Sequence, residues 1–318
     1  MKPLISVIIP TRNRAVLVKR AVQSALAQTL TEIEIIVVID GPDEVTSAVL
    51  AEIEDPRLRV IELPICEGAP QARNTGVSLA KGEWVALLDD DDEWLPQKLE
   101  LQLEAARRSQ RPYPVITCCL IARTPRVDYV WPRRLPLPSE LISDYLLVRN
   151  SLFRGEASIQ TSTLFTARDF LVQHPFKKEL LKHQDIEWVL RISLLKDVKV
   201  EFVTEPLVIH YIEDRSETVS SKNNWQYSLS WLQEHKSLVS PRAYAAFIMN
   251  RISSEARKQG DLKAFWILLR ESIRFGQPKI IDFLIYLGLW LIPQTPRRLF
   301  RDLLTRMQTN VKTYLMHL

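Results

Sequence analysis

Residues 84–94 read WVALLDDDDEW: five apolar residues followed, without a break, by four aspartates. The apolar run, Trp84 to Leu88, is of a length that suits one buried strand. Adjacent carboxylates at the end of such a strand repel one another and lose hydration, and both effects disfavour their charged form. A bound cation offsets that cost. A few hard oxygen ligands suit Mg²⁺ or Mn²⁺ shared with the phosphates of a substrate. The competing use of Asp91 or Asp92 is as the N-cap of a helix starting near Leu95, favoured by the helix dipole, but a cap needs one Asp rather than four. A calcium loop is excluded, because the alternating ligands, the Gly and the closing Glu are missing.

Upstream, short apolar runs alternate with helical patterns. ISVII (5–9) reads as a buried strand and residues 15–28 as a helix. EIIVVI (34–39) is a second strand, ended by Asp40-Gly41-Pro42, and RLRVIEL (57–63) a third. Strands separated by helices predict βαβ units and a mostly parallel α/β sheet flanked by helices. Ligands of such sheets bind beyond the carboxyl ends of the strands, which places chemistry just after Ile9, Ile39 and Leu88. Those segments carry Pro10, Thr11, Arg12 and Asn13, then Asp40, then the four aspartates. Asp40 suits hydrogen bonds from a base or ribose, and equally a plain turn before Gly-Pro. Arg73, in GAPQARNTG, suits a phosphate or a surface ion pair.

Downstream the pattern weakens over residues 123–182, where Pro-rich stretches predict irregular loops. A helix returns at DIEWVLRISLL (185–195), followed by a strand VKVEFV and another near residues 207–211. Asp185 opens that helix, either as an N-cap or as a carboxylate, remote from the metal, that takes a proton from an acceptor hydroxyl. After Ser240 strand signals end and amphipathic helical patterns take over. This sets a boundary between a domain over 1–239 and a helical region over 240–318.

Composition excludes other classes. With 318 residues, 46% hydrophobic and 25% charged, the chain has the make-up of an ordinary folded protein. Only 8 Gly are present, and neither G-x-x-x-x-G-K-[ST] nor G-x-G-x-x-G occurs. Cys66, Cys118 and Cys119 form no disulfide framework or C-x-x-C, and the start resembles no signal peptide, so a cytoplasmic location is expected. From Ser240 on, 13 Lys and Arg face five acids, about +8, which leaves about −4 on the rest of the chain. Together with the 14-residue apolar segment 280–293, too short to span a bilayer, this tail suits either an anionic membrane surface or a core helix beside a solvated basic one. No nucleic-acid partner is expected.

VIIPTRNR, the strand-end Asp40 in VVIDG, EGAPQARNTGVSLAKGEWVALLDDDDEW and HQDIEWVLR together resemble, in order and spacing, the family 2 inverting glycosyltransferases of GT-A fold. The resemblance covers about residues 3–215. It implies an α/β GT-A domain, to which the helical region read after Ser240 is a C-terminal appendage, in a protein of polysaccharide or glycolipid synthesis. It implies that Pro10, Thr11 and Asp40 line a nucleobase pocket; Arg12, Arg73 and Asp90 are expected to complete the donor contacts. Asp89 would contact the ribose or nucleotide, Asp91 would bind the divalent metal on the diphosphate, and Asp185 would be the catalytic base. Gln184 stands where the family usually has Glu. The implied partners are a nucleotide-sugar donor and a sugar or lipid-linked acceptor. A nucleotidyltransferase is disfavoured because its G-x-G-T-R loop is absent; a non-catalytic nucleotide-sugar-binding module is the alternative from another class. His210, after the last strand, is a pocket residue in some members and here suits packing equally.

Overall fold

The computed structural model describes residues 2–125, 127–151, 155–212 and 225–292. Among these the chain forms two compact units. The first takes residues 1–135 and 158–216; the second takes 136–157 together with the chain after 216. The division therefore falls elsewhere than at Ser240: a segment near 150 and a helix before 240 belong with the C-terminal helices.

The first unit is built on one mixed sheet. Strands β1 (Ile5–Thr11) and β2 (Ile33–Ile39) are buried along their whole length, as continuous apolar strands covered on both faces must be. With β3 (Leu58–Glu62) and β4 (Trp84–Leu87) they form a four-stranded parallel stretch, in the order β3-β2-β1-β4. Helices α1 (Ala15–Leu26) and α4 (Lys98–Arg108) cover one face. Val18, Val22, Leu99 and Leu103 join Ile5, Val7, Ile9, Ile35 and Val37 there in a single core. Helix α2 (Glu44–Ala51) is capped by Asp43, whose carboxylate accepts from Thr46 N at 3.0 Å. Helix α3 (Ala69–Leu79) packs on the opposite face, so closely that a Cβ on Gly76 would lie 2.5 Å from Ile8 Cγ2.

Of the remaining strands, β7 and β8 lie in the stretch where loops were expected. Strand β5 (Glu93–Trp94) follows the four aspartates, and β6 (Tyr113–Arg123) and β7 (Asp128–Trp131) form an antiparallel pair. After α5 (Ile142–Leu147), which belongs to the second unit, come a 3₁₀ turn at Thr161–Thr163, β8 (Phe165–Ala167) and α6 (Arg168–Gln173). Strand β8 inserts antiparallel between β4 and β6, pairing Phe165 with both Ala86 and Ile116. Three residues carry too little periodicity to be read as a strand; the sheet on either side supplies their hydrogen bonds. Helix α7 (Gln184–Ile192) then leads into β9 (Val198–Tyr211). The two strands expected here are one, its register against β6 slipping on either side of Cys119.

The second unit is helical among the described residues. It contains α5, α8 (Trp225–Glu234) and a continuous run of α9 (Pro241–Phe247), a π segment (Ile248–Ile252) and α10 (Ser253–Lys258). Helices α11 (Ala264–Phe275) and α12 (Ile280–Leu291) follow. Ser240 caps α9 by accepting from Ala243 N at 2.9 Å, and Pro241 occupies its first turn, where no amide donor is needed. The helical pattern RLFRDLLTRMQ and the arginines at 297, 298 and 301 lie outside the described residues.

Candidate active site

The sheet brings three strand ends side by side. Asp40 N donates to Thr11 O at 2.9 Å, and Leu88 N donates to Ile8 O at 3.0 Å, so the segments after β1, β2 and β4 adjoin at one edge. The acidic run leaves β4 as a turn, with Asp92 N donating to Asp89 O at 3.2 Å, and β5 then pairs with β9 through Glu93 and Ile209. Helix α4 begins only at Lys98, with Gln97 at the cap position, so neither Asp91 nor Asp92 caps it.

The four carboxylates face alternate ways. Asp90 is 6% exposed and Asp92 2%. Asp90 accepts from Thr11 Oγ1 at 2.8 Å and from Arg14 Nη1 at 2.8 Å. Burial pushes its carboxyl up to about 6, against the pull of the Arg14 cation. Asp92 accepts from Ser162 Oγ at 2.5 Å and meets His210 Nδ1 at 2.9 Å. Burial also raises Asp92 above the usual carboxylate range. For His210 burial opposes the charge, but its hydrogen bond to Asp92 and that residue's negative charge prevail, and its pKa rises. The side chains of Asp89 and Asp91 are 31% and 34% exposed. Arg14 Nη1 reaches Asp91 Oδ2 at 3.0 Å and so bridges Asp90 and Asp91, while Arg20 Nη2 donates to the Asp91 carbonyl at 2.7 Å.

Asp40 is neither a bare turn residue nor open to solvent. It accepts from Glu67 N at 2.8 Å and Gly68 N at 3.0 Å, which anchors the loop entering α3. Arg12 donates to Cys66 Sγ in the same loop, and Pro10 and Thr11 are buried within β1. The exposed-ion-pair reading of Arg73 is corrected: the residue is 6% exposed, because α3 lies flat against the sheet. Its Nη2 donates to Asp89 Oδ1 at 2.6 Å and its Nη1 to Gln184 Oε1 at 3.1 Å. One guanidinium thus ties the acidic turn to the head of α7. Asn74 secures the same approach, exchanging bonds of 2.8 and 3.0 Å with the backbone of Phe176.

The N-cap reading of Asp185 is also corrected. The cap position belongs to His183, in a left-handed conformation with φ 65°, and Asp185 lies in the first turn of α7, where Oδ1 accepts from Ile186 N at 2.8 Å. Behind it, Trp188 is fully buried, and Glu187 pairs with Lys177 at 3.0 Å, in the segment leading into α7, and with Arg191 one turn on at 2.8 Å. Arg14 and Ser162 were not singled out from the sequence. Their only local signal is a basic residue just past a strand end and a hydroxyl in an unpatterned stretch.

Among the described residues no three His, Cys, Asp or Glu side chains gather into a group able to hold a metal by itself. What the turn offers instead is a pair of partly exposed carboxylates, Asp89 and Asp91. That donor set fits a hard cation whose remaining ligands are water and phosphate.

Residues 6–172 match the family model described as Glycosyl transferase family 2, over half of the chain. Among curated proteins, the chain is 39% identical to the succinoglycan biosynthesis protein ExoO of Rhizobium meliloti over 104 residues, 33% of this chain and 30% of ExoO. It is 29% identical over 243 residues to the putative colanic acid biosynthesis glycosyl transferase WcaA of Escherichia coli, covering 74% of this chain and 82% of WcaA. It is 38% identical over 100 residues to WfaP of Escherichia coli, a UDP-Glc:alpha-D-GlcNAc-diphosphoundecaprenol beta-1,3-glucosyltransferase, covering 31% of this chain and 40% of WfaP. The matched stretch thus spans less than half the length of ExoO and of WfaP. A solved structure of S. aureus TarS 1–349 in complex with UDP-GlcNAc shares the fold, with a TM-score of 0.50, 19% identity, and coverage of 90% of this chain and 79% of that one. The α/β sheet, the acidic turn after β4 and the matched stretch agree, and the chain belongs to glycosyl transferase family 2.

Proposed function

We propose that this chain transfers a sugar from a nucleotide-diphosphate donor to an acceptor hydroxyl, with inversion at the anomeric carbon, in the synthesis of a polysaccharide or glycolipid. The observation that carries the reading is the Arg73 bridge, which ties Asp89 to Gln184 and so draws the acidic turn and Asp185 to one edge of the sheet. Asp185 takes the proton from the acceptor hydroxyl as that oxygen attacks the anomeric carbon, and the bond to the diphosphate breaks on the opposite side. Asp91 would hold a divalent cation, Mg²⁺ or Mn²⁺, which when bound would supply positive charge to stabilise the departing diphosphate. Asp40 and Asp90 orient the loop between β3 and α3 and the end of β1 around the nucleoside, and Asp89 and Arg73 lie at the donor's ribose and phosphate end. The printed name of WfaP, which describes transfer from UDP-glucose to a diphosphoundecaprenol-linked sugar, supports a nucleotide-sugar donor and a lipid-linked acceptor here too.

The test is turnover of the purified full chain against a panel of nucleotide sugars, with Mn²⁺ or with chelator. Release of nucleoside diphosphate from one donor, abolished by chelator, is the expected result. Tight, metal-dependent donor binding without any turnover, with candidate acceptors supplied, would instead make the chain a binding module.

A further inference from the structure

Helix α12, IIDFLIYLGLWL, has a single residue charged at neutral pH, Asp282. That residue is buried, paired with Arg242 at 3.1 Å and accepting from Lys279 N at 2.7 Å to close its own first turn. One face of α12 packs inward through Ile285, Tyr286 and Trp290, with Trp290 edge-on to Phe265 of α11 at 5.5 Å. The opposite face is equally apolar but open to solvent: Ile280 is 79% exposed, Leu284 59%, Leu287 42% and Leu291 74%. Their spacing of four, three and four residues places them on one stripe. On α11, Trp266 and Ile273 are 71% and 56% exposed, and Arg270 and Arg274 are exposed among them. An apolar stripe of this kind, left uncovered on a folded unit, marks an interaction surface.

We propose that the exposed faces of α11 and α12 form a reversible docking surface for an anionic lipid bilayer, with the two helices lying in the plane of the interface. Twelve helical residues extend about 18 Å, short of the roughly 30 Å hydrocarbon core, and no described helix is long and apolar enough to cross a membrane. Apolar residues without an acid among them, a tryptophan, and arginines beside it are the make-up of an interfacial helix. A second copy of the chain is the poorer occupant. A two-fold contact would bury the Arg270 and Arg274 side chains of both copies in one interface, whereas an anionic leaflet complements them. The inference rests on this surface alone and holds whichever hydroxyl the transferase uses.

Co-sedimentation of the full chain with phosphatidylcholine vesicles, with and without phosphatidylglycerol, tests it. The full chain should pellet with the anionic vesicles and less so as salt is raised. Leu284→Glu with Leu291→Glu should lower the partition coefficient at least about tenfold, with unchanged circular dichroism and an unchanged thermal unfolding midpoint. Arg270→Gln and Arg274→Gln should each lower it by about fivefold. The proposal is overturned if the full chain stays in the supernatant with anionic vesicles at low salt, or if the double Glu variant pellets like the parent. It is equally overturned if sedimentation velocity shows a dimer that the double Glu variant dissolves while neither protein binds vesicles.

Discussion

Asp91 and Asp185 sit in environments that separate their expected phenotypes. Asp91 is half-exposed beside Arg14, which keeps Asp90 as a second partner, so Asp91→Ala should leave the fold intact and abolish metal-dependent donor binding in calorimetry. Undiminished metal-dependent turnover in that variant would rule out its role. Asp185→Asn retains an oxygen able to accept from Ile186 N but cannot take a proton. Donor affinity should be unchanged and the transfer rate lower by roughly 10²- to 10⁴-fold. Lys98 poses a different question, because it is fully buried over the Trp94 ring at 3.9 Å and bonded to Gln102 at 2.6 Å. Burial pulls its pKa from 10.5 down to about 7. Between those values the unfolded chain binds a proton that the folded one does not, so this residue makes stability rise with pH from about 7 to about 10.5. Urea unfolding across that range should show a steeper rise for the parent than for Lys98→Met; equal slopes would show that the ammonium is not desolvated as the structure has it.

Helix α3 is the element on which the site depends most, since it carries Arg73 and lies on the sheet only because position 76 lacks a side chain. Gly76→Ala would drive its methyl into Ile8 and toward Val38, whose Cγ2 lies 3.3 Å from that point. The expected cost is about 1–3 kcal/mol in urea unfolding, the range for overpacking a close-packed contact. The same shift should loosen the Arg73 bond to Asp89 and weaken nucleotide binding. Combined with Ile8→Ala, which removes the opposing methyl, the loss should be smaller than the sum of the two single changes. Additivity would mean that the helix already has room to move.

For the molecule as a whole, every proposed site residue lies in the first unit, so ligand-linked stabilisation should be confined there. The nucleoside diphosphate of its donor, with Mn²⁺, at about 100 times the dissociation constant should stabilise that unit by roughly 2.7 kcal/mol. Mn²⁺ alone should do much less, because phosphate oxygens complete its shell. Hydrogen exchange should slow at residues 10–14, 66–73 and 88–94 and remain unchanged in α11 and α12. Protection spread evenly over both units would contradict this assignment of the site.

The sequence by itself determined the alternation of strand and helix over the first hundred residues, the strand ends where polar residues gather, and the run of four aspartates. Each is encoded within a window of about ten residues, as periodicity or adjacency. Only the tertiary structure decided which aspartates face outward. Four identical neighbours carry no local distinction; Thr11 and Arg14 turn Asp90 inward, and Ser162 and His210 turn Asp92 inward, from 70 and 118 positions away in the latter case. The same holds for Arg73, buried between Asp89 and a Gln184 that stands 111 residues on, and for Asp185, freed from the cap position by the left-handed turn at His183. It holds most plainly for β8, three residues whose strand conformation comes from the pairing edges of β4 and β6 rather than from any pattern of their own.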